Sequence, residues 1–316
     1  MTKVFVDGSQ GTTGLRIHKR LSGRDDMQLL VLDEKYRKDP HAREDAVNAS
    51  DIVFLCLPDD SARESVSFLK NSTTKIIDTS TAHRTDSSFA YGFAELSDLH
   101  REKIASYQKC SIPGCHATGF ISLIYPLTEA GLIEPQLPLS CFSLTGYSGG
   151  GKPMIADYEN ELRDTEYDSP RMYAMEQSHK HLKEMLHRSG LQKAPIFSPV
   201  VADFYNGMAV TVPVFSDFFT KKISASELSS FYEEKYESSE LIRVLPFGTQ
   251  SGFFASNELR DYDGLEILVS GNDERMTLTA RFDNLGKGAC GAAIQCMNIM
   301  LGISETESLY LQGENL

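Results

Sequence analysis

Lys3-Val4-Phe5-Val6-Asp7-Gly8-Ser9-Gln10-Gly11-Thr12-Thr13-Gly14 decides how the rest of the chain is read. Lys3–Val6 is a short apolar run of the kind that forms a buried strand, and Asp7-Gly8 ends it. Thr12 and Thr13 then open a helical pattern through Leu15, Ile17 and Leu21, which Gly23 stops. Between strand and helix stands a G-x-x-G-x-x-G turn made by Gly8, Gly11 and Gly14. Glycine lets a backbone come close to a pyrophosphate, and a helix N-terminus offers N–H groups and partial positive charge. Strand, turn and helix in this order are the context a dinucleotide fingerprint requires, although the spacing is not the strict G-x-G-x-x-G. The competing reading is a tight turn that binds nothing.

Working outward, Leu29–Leu32, Asp51–Leu57, Lys75–Asp78 and Tyr107–Ile112 read as further strands. Near-continuous apolar strands separated by helices predict a parallel, doubly wound sheet, a Rossmann-type α/β unit. After Pro113 the rhythm changes. Leu137–Leu144, Ile196–Val201, Gly207–Phe215, Leu241–Leu245, Leu265–Ser270 and Met276–Phe282 predict a mixed, largely antiparallel sheet, hence a second, α+β domain. Glu176–Leu186 is read as a helix, and Gly288–Leu301 is apolar at helical spacing. Val210, Val212 and Val214 alternate along one strand and give that sheet an apolar face, either paired with a second subunit or covered by the chain's own helices.

The chain has 316 residues, 31 Lys+Arg against 44 Asp+Glu, and a formal net charge of −13. That length suits two domains, and the balance disfavours nucleic acid as a partner. No apolar run approaches the roughly 18 residues that span a bilayer, so no membrane is expected. Met1-Thr2-Lys3 runs straight into a strand, without the pattern of a secretory signal. The six cysteines, Cys56, Cys110, Cys115, Cys141, Cys290 and Cys296, form no CxxC pair, so reduced thiols in a cytoplasmic protein are expected.

Cofactor choice depends on the residues about 20 positions beyond the glycine turn. Asp33 and Glu34 suit the ribose of NAD, whereas Lys35, Arg37 and Lys38 suit the 2′-phosphate of NADP. The residues alone leave both open.

Cys115 stands in Ile112-Pro113-Gly114-Cys115-His116-Ala117-Thr118-Gly119, after one predicted strand and before a helical run. A helix N-terminus stabilises a thiolate, which makes Cys115 a candidate nucleophile. Thiolate and nicotinamide together imply thioester chemistry coupled to hydride transfer. The other five cysteines read as structural.

These stretches resemble the N-acetyl-γ-glutamyl-phosphate reductases, in the shorter form of that family. Ile112–Gly119 resembles its P-G-C-aromatic-x-T motif, and Ile76–Arg84 its I-D-L-S-A-D-F-R. Tyr91–Glu95 is similar to Y-G-L-P-E, Ser148–Lys152 to S-G-A-G-R/K, and His179–Glu184 to H-R-H-T-P-E. Asp283–Gln295 is similar to D-N-L-x-K-G-A-x-G-x-A-x-Q, so the likeness spans nearly the whole chain. His116 departs from the family's aromatic, Leu182-Lys183 from Thr-Pro, and Ala82-His83 from Asp-Phe. Aspartate-semialdehyde dehydrogenase shares the expected fold and cysteine but not the H-x-H segment in this form.

The resemblance implies NADPH-dependent reduction of N-acetyl-γ-glutamyl phosphate in arginine biosynthesis, by a cytoplasmic homodimer or homotetramer. It implies residues 1–114 with 285–316 as the dinucleotide-binding domain and 115–284 as the catalytic and dimerisation domain. The alternatives are reduction of the aspartyl or aminoadipyl analogue, or an NADP-binding regulatory protein without catalysis. Cys115 is the implied nucleophile. His179 is the first choice for the acid–base group and His181 the second, since residues two apart on a helix point about 200° from each other. His116 is expected to diverge from the thiol. Arg84 is expected to clamp phosphate, and Glu184 to contact substrate. Gly8, Ser9, Gln10, Gly11, Thr12, Thr13 and Gly14 are expected to hold the dinucleotide. Ser148 and Gly149 are assigned to the nicotinamide through backbone amides, Asn284 to its carboxamide and Lys287 to phosphate. The other reading of Asn284–Ala293 is a turn before a packed helix. No Cys, His and carboxylate set stands at metal-ligand spacing, so no metal is expected. His18, His41, His83, His100 and His187 are read as surface or capping residues.

Overall fold

The computed structural model describes residues 1–250 and 252–312. The chain divides into two units, Met1–Pro113 with Ala289–Leu309, and Gly114–Gly288 with the chain end from Tyr310. The change of unit thus falls after Gly288 rather than before residue 285. Tyr310 belongs with the second unit, where its amide donates to Asp263 Oδ2 at 2.8 Å and its carbonyl accepts from the Asp263 amide at 2.7 Å. Of the segment 285–316, positions 313–316 lie outside the described residues.

The first unit holds strands β1 (Thr2–Asp7), β2 (Met27–Leu30), β3 (Ile52–Leu55), β4 (Lys75–Asp78), β5 (Ala90–Tyr91) and β6 (Lys109–Ser111). They form one sheet in the order β2-β1-β3-β4-β6-β5, parallel throughout. Helices α1 (Thr12–Leu21), α2 (Pro40–Asn48), α3 (Asp59–Ser67) and α4 (Asp98–Ser106) provide crossovers. Phe5, Val53, Leu55 and Ile76 pack with Val47 and Ala62 in its core. This is the doubly wound sheet the sequence predicts. Because β1 lies between β2 and β3, the winding reverses there, and in such sheets ligands bind beyond the strand ends at that reversal. Gly8 follows β1 at this point.

The second unit holds helices α5 (Cys115–Glu129), α6 (Gly151–Glu159), α7 (His181–Arg188) and α8 (Ala225–Tyr236). Its strands are β7 (Ser140–Gly146), β8 (Arg171–Met172), β9 (Ile196–Ala202), β10 (Met208–Phe215), β11 (Ile242–Leu245), β12 (Leu265–Gly271) and β13 (Arg275–Phe282). The order is β11-β12-β13-β10-β7-β9-β8, with β11–β12 and β7–β9 parallel and the other pairs antiparallel. Val210, Val212 and Val214 are buried. Helix α5 lies over them so closely that a Cβ on Gly119 would stand 2.4 Å from Val210 Cγ2. The chain's own helix therefore covers the valine face. The opposite face stays open, with Phe142 45%, Phe215 55% and Ile196 65% exposed.

The last helix, α9 (Gly291–Leu301), returns to the first unit. Gln295 Nε2 donates to Glu95 Oε1 at 2.9 Å, Lys75 Nζ donates to the Met300 carbonyl, and the Cys110 and Cys296 thiols meet beside Gly92. No helix among the described residues is long and apolar enough to cross a membrane.

Candidate active site

The glycine turn is shaped by close backbone approach. Gly8 takes φ +85°, and a Cβ there would lie 2.3 Å from the Cys56 carbonyl oxygen. A Cβ on Gly14 would lie 2.4 Å from the Gly8 oxygen. The Gly11 amide donates to that same oxygen at 3.0 Å, and α1 starts one residue later with no side chain capping it. Thr12, Thr13 and Gly14 thus form an uncapped first turn suited to an anion. Ser9 and Arg37 line a pocket with Gly8 and Leu32, while Gln10 is exposed. Arg37 pairs with Glu34 at 3.1 Å. Asp7 is buried and accepts from Arg43 Nε at 3.1 Å and Ser65 Oγ at 2.7 Å, which fixes the strand end under the turn. A cradle that refuses side chains at 8 and 14, with a basic residue at its rim, fits a phosphorylated dinucleotide.

Arg84 also belongs to the first unit and is only 7% exposed. Its Nε donates to the Ile112 carbonyl at 2.9 Å and Nη2 to the Thr79 carbonyl at 3.0 Å. The expected phosphate clamp is thus spent in part on tying the loop after β4 to the end of β6. His83, read as a surface residue, is buried, stacked on Phe89 at 4.3 Å and bonded through Nδ1 to Asp78 Oδ2 at 2.6 Å.

In the second unit Cys115 is the first residue of α5, a 15-residue helix that begins after extended Gly114 with no side-chain cap. The thiol therefore sits where partial positive charge favours its ionised form. Two contacts fix its backbone. Glu184, 2% exposed, accepts from the Gly114 amide at 3.0 Å. Gly288 passes so near that a Cβ there would stand 2.9 Å from Cys115 Cβ. Glu184 thus buttresses the cysteine turn.

Three histidines gather at this helix end. The donor atoms of Cys115, His116 and His181 lie within 4.8 Å of one another. Ring centroids are 5.4 Å apart for His116–His181, 5.5 Å for His116–His179 and 4.8 Å for His179–His181. His116 does not diverge from the thiol. Its Nδ1 meets Ser143 Oγ at 2.7 Å and its Nε2 meets Tyr173 Oη at 2.7 Å. The H-x-H pair is not on one helix, because α7 begins at His181 and His179 lies in the turn before it. The helical argument that only one ring can face the site therefore fails. His179 Nδ1 accepts from the His181 amide at 3.2 Å, which leaves the proton of its neutral ring on Nε2.

Burial pushes His116 down from 6.5 to about 3, with the charges of His179 and Lys180 adding to the effect. Burial, then Lys180, lowers His179 from 6.5 to about 4, so both rings are neutral at pH 7. Burial drives the Tyr173 hydroxyl up, and the nearby Cys115 raises it further. Burial disfavours the thiolate form at two other cysteines. Cys56 is pushed up to about 12 by burial, and Cys141 is raised well above its usual value for the same reason. Tyr173 and Ser143 were not singled out from sequence, since nothing in a polar stretch or an alternating strand marks a residue that will meet a histidine.

The remaining candidates in this unit organise one another. Asn284 Nδ2 donates to Ser148 Oγ at 2.9 Å and its Oδ1 accepts from the Gly207 amide at 2.9 Å. The Ser148 amide donates to the Tyr205 carbonyl at 2.9 Å. Both Asn284 and Ser148 are buried, and the bonds of Asn284 link two turns. Gly149 lies in the same turn, where a Cβ would be 3.5 Å from Asn284 Nδ2. Asp283 accepts from the Leu285 amide at 2.7 Å and the Gly286 amide at 3.2 Å, shaping the turn that carries buried Lys287.

Two family descriptions match the chain: semialdehyde dehydrogenase, NAD binding domain, over residues 8–107, and semialdehyde dehydrogenase, dimerisation domain, over 115–284. The chain is 40% identical over 304 residues to N-acetyl-gamma-glutamyl-phosphate reductase 2 of Pseudomonas putida, covering 95% of this chain and 96% of that one. It is 41% identical over 303 residues to the N-acetyl-gamma-glutamyl-phosphate reductase of Sinorhizobium fredii, covering 95% and 98%. Among solved structures it is similar to aspartate semialdehyde dehydrogenase II of Vibrio cholerae. The TM-score is 0.71 at 14% identity, over 96% of this chain and 98% of that one, a likeness of fold.

Proposed function

The chain belongs to the semialdehyde dehydrogenase family, among the N-acetyl-gamma-glutamyl-phosphate reductases, and from that membership we propose that its reaction runs through a thioester on Cys115. The reaction is the NADPH-dependent reduction of N-acetyl-γ-glutamyl phosphate to N-acetylglutamate semialdehyde, a step of arginine biosynthesis. The observation that carries the cysteine's role is its place at the uncapped start of α5, with a His181 ring nitrogen within 4.8 Å of its sulfur.

His181 takes the thiol proton. The thiolate attacks the acyl carbon and inorganic phosphate leaves, so one C–O bond is exchanged for one C–S bond. The dinucleotide, when bound, supplies the hydride that converts the thioester to the aldehyde level. His179, with its proton on Nε2, donates to the developing oxyanion; when the thiohemiacetal collapses the C–S bond breaks, that proton returns to His179, and the released thiolate recovers its own proton from His181. Gly8–Gly14 hold the pyrophosphate, and Arg37 at the pocket rim takes the 2′-phosphate. Ser148, Gly149 and Lys287 complete the substrate and nicotinamide contacts. Arg84 and Glu184 act as positioning residues, since each is bonded to backbone beside the cysteine turn's flanks, at Ile112 and Gly114.

Residues Met1–Pro113 with Ala289–Leu309 serve as the dinucleotide-binding domain and Gly114–Gly288 as the catalytic domain. The exposed sheet face carrying Phe142, Ile196 and Phe215 pairs copies of the chain into a homodimer or homotetramer in the cytoplasm. Phosphate-dependent oxidation of N-acetylglutamate semialdehyde with NADP⁺ tests the reading, with aspartate and aminoadipate semialdehydes as controls. Preference for the acetylated substrate, lost in Cys115→Ser, is expected. Full activity in that variant ends the thioester mechanism.

A further inference from the structure

The donor atoms at the start of α5 exceed what acyl-phosphate reduction needs. One thiol and one or two proton-carrying groups suffice for it, yet Cys115 Sγ, a ring nitrogen of His116 and a ring nitrogen of His181 converge within 4.8 Å. We propose that these three side chains form an inhibitory site for a thiophilic divalent cation of the zinc type, bound through the same sulfur that attacks substrate.

Ligand chemistry supports this. One thiolate and two imidazoles are a nitrogen–sulfur donor set that suits Zn²⁺ and leaves a fourth tetrahedral position for water. With Zn–S of about 2.3 Å and Zn–N of about 2.0–2.1 Å, tetrahedral ligand atoms lie about 3.4–3.6 Å apart. The set must therefore contract by about 1 Å, within reach of side-chain torsions on residues at a helix start. His116 is already oriented. Its Nδ1 is held on Ser143 Oγ at 2.7 Å, the support that a metal-binding imidazole characteristically has on its other nitrogen. Its Nε2 becomes the ligand atom once the Tyr173 hydroxyl turns aside. Phe197 stacks edge-on against His116 at 5.2 Å and His179 at 5.3 Å and closes the inner side. Cys115 is only half-buried, which leaves the cation a way in.

The exchange balances without a redox partner. The Cys115 S–H bond breaks, its proton goes to solvent, a zinc–sulfur bond forms, and chelation reverses each step. While the cation is bound, the sulfur lone pair is committed and substrate cannot be acylated onto it. Cation binding stands on the cluster alone, whereas inhibition rests on the reading of Cys115 as nucleophile.

The experiment uses the full chain, cleared of metal by chelation and titrated with Co²⁺ alone. Expected are saturation at one equivalent, a thiolate-to-cobalt charge-transfer band in the near ultraviolet, and displacement of that band by Zn²⁺. Turnover is expected to fall with Zn²⁺ and return with EDTA. Cys115→Ser is expected to lose the band, and folded His116→Phe to bind Co²⁺ at least tenfold more weakly. Should His116→Phe fail to fold, alkylation of Cys115 in the unaltered protein must abolish the band. Saturable Co²⁺ binding without a sulfur band, or equal affinity in His116→Phe, overturns the site. A normal band with undiminished turnover under saturating Zn²⁺ overturns the inhibition and Cys115's role as nucleophile, leaving the cation site in place.

Discussion

Helices α1 and α5 both begin after an extended glycine, Gly11 or Gly114, and neither is capped by a side chain. Their first turns are otherwise opposites. At α1 the first-turn residues are Thr12, Thr13 and Gly14, with Gly8 folded beneath them, so backbone amides and uncharged hydroxyls are on offer. At α5 the first residue is a thiol and the second an imidazole, with two more imidazoles within about one ring's reach. The same backbone dipole thus serves two ends. In one case it meets a ligand's negative charge; in the other it creates negative charge on the protein's own sulfur. What separates them is what the neighbouring backbone leaves room for. The first turn excludes a Cβ at 8 and 14, whereas the second excludes one at 288, on the helical turn Gly286–Cys290 that passes the nucleophile.

That contrast is broken first at position 288. Gly288→Ala places a Cβ 2.9 Å from Cys115 Cβ and must displace the thiol. A shift of about 1 Å costs roughly 100-fold in kcat, measured by steady-state turnover, with NADP⁺ affinity unchanged. The converse variant is Gly8→Ala, strained at φ +85° and driven into the Cys56 carbonyl. It should cost about 1–3 kcal/mol, seen as a lower Tm, and weaken NADP⁺ binding in calorimetry while the Cys115 alkylation rate holds. If Gly8→Ala instead slows alkylation, the two helix ends are not separate devices.

Glu184 supplies a smaller test. Glu184→Ala leaves the buried Gly114 amide without its acceptor, at a cost of about 1–2 kcal/mol. Glu184→Gln keeps an acceptor and should recover most of kcat at unchanged KM. Equal loss in both variants would mean that the carboxylate charge, not the hydrogen bond, matters.

A last effect is on pH. His116 and His179 sit at about 3 and about 4 in the folded chain against 6.5 for the free side chain. Between those values the unfolded chain binds protons that the folded one refuses. Stability is therefore complete above pH 6.5 and declines as pH falls toward 4. Urea midpoints across that range should show the decline, and His116→Phe should flatten it. The α1 turn contributes nothing to this slope.

The two ends were not equally legible in the sequence. The α1 turn was readable because its parts are contiguous: strand, glycines and helix follow one another, and each has a local cause. Cys115 was readable for the same reason. The histidine cluster was not. Leu182, Met185 and Leu186, which signalled a helix over Glu176–Leu186, all lie beyond His181, so the pattern could not show where the helix starts. His116 turns toward the thiol's side because Ser143 on β7 and Tyr173 beside β9 hold it, two partners supplied by tertiary packing. Arg84, Glu184 and Asn284 stand out in the sequence by residue type, but residue type could not say whether a polar group would meet a backbone amide or carbonyl. The sheet of the second unit was legible as mixed, while the choice between its two faces needed Gly119 against Val210 to settle it.

The first unit is made from the two ends of the chain, with Ala289–Leu309 added to Met1–Pro113. Synthesis is directional, so Met1–Pro113 must wait for α9 until the whole intervening segment has emerged. Until then Glu95 and Lys75 lack Gln295 and the Met300 carbonyl, and Cys110 lacks the cover of Cys296. The segment Gly114–Gly288 waits for Tyr310 at Asp263, but the thiol and its histidines all lie within the segment itself. A chain interrupted near residue 288 would therefore hold its thiol and histidines in place while its dinucleotide half stayed open, a partially built protein for chaperones and proteases to find.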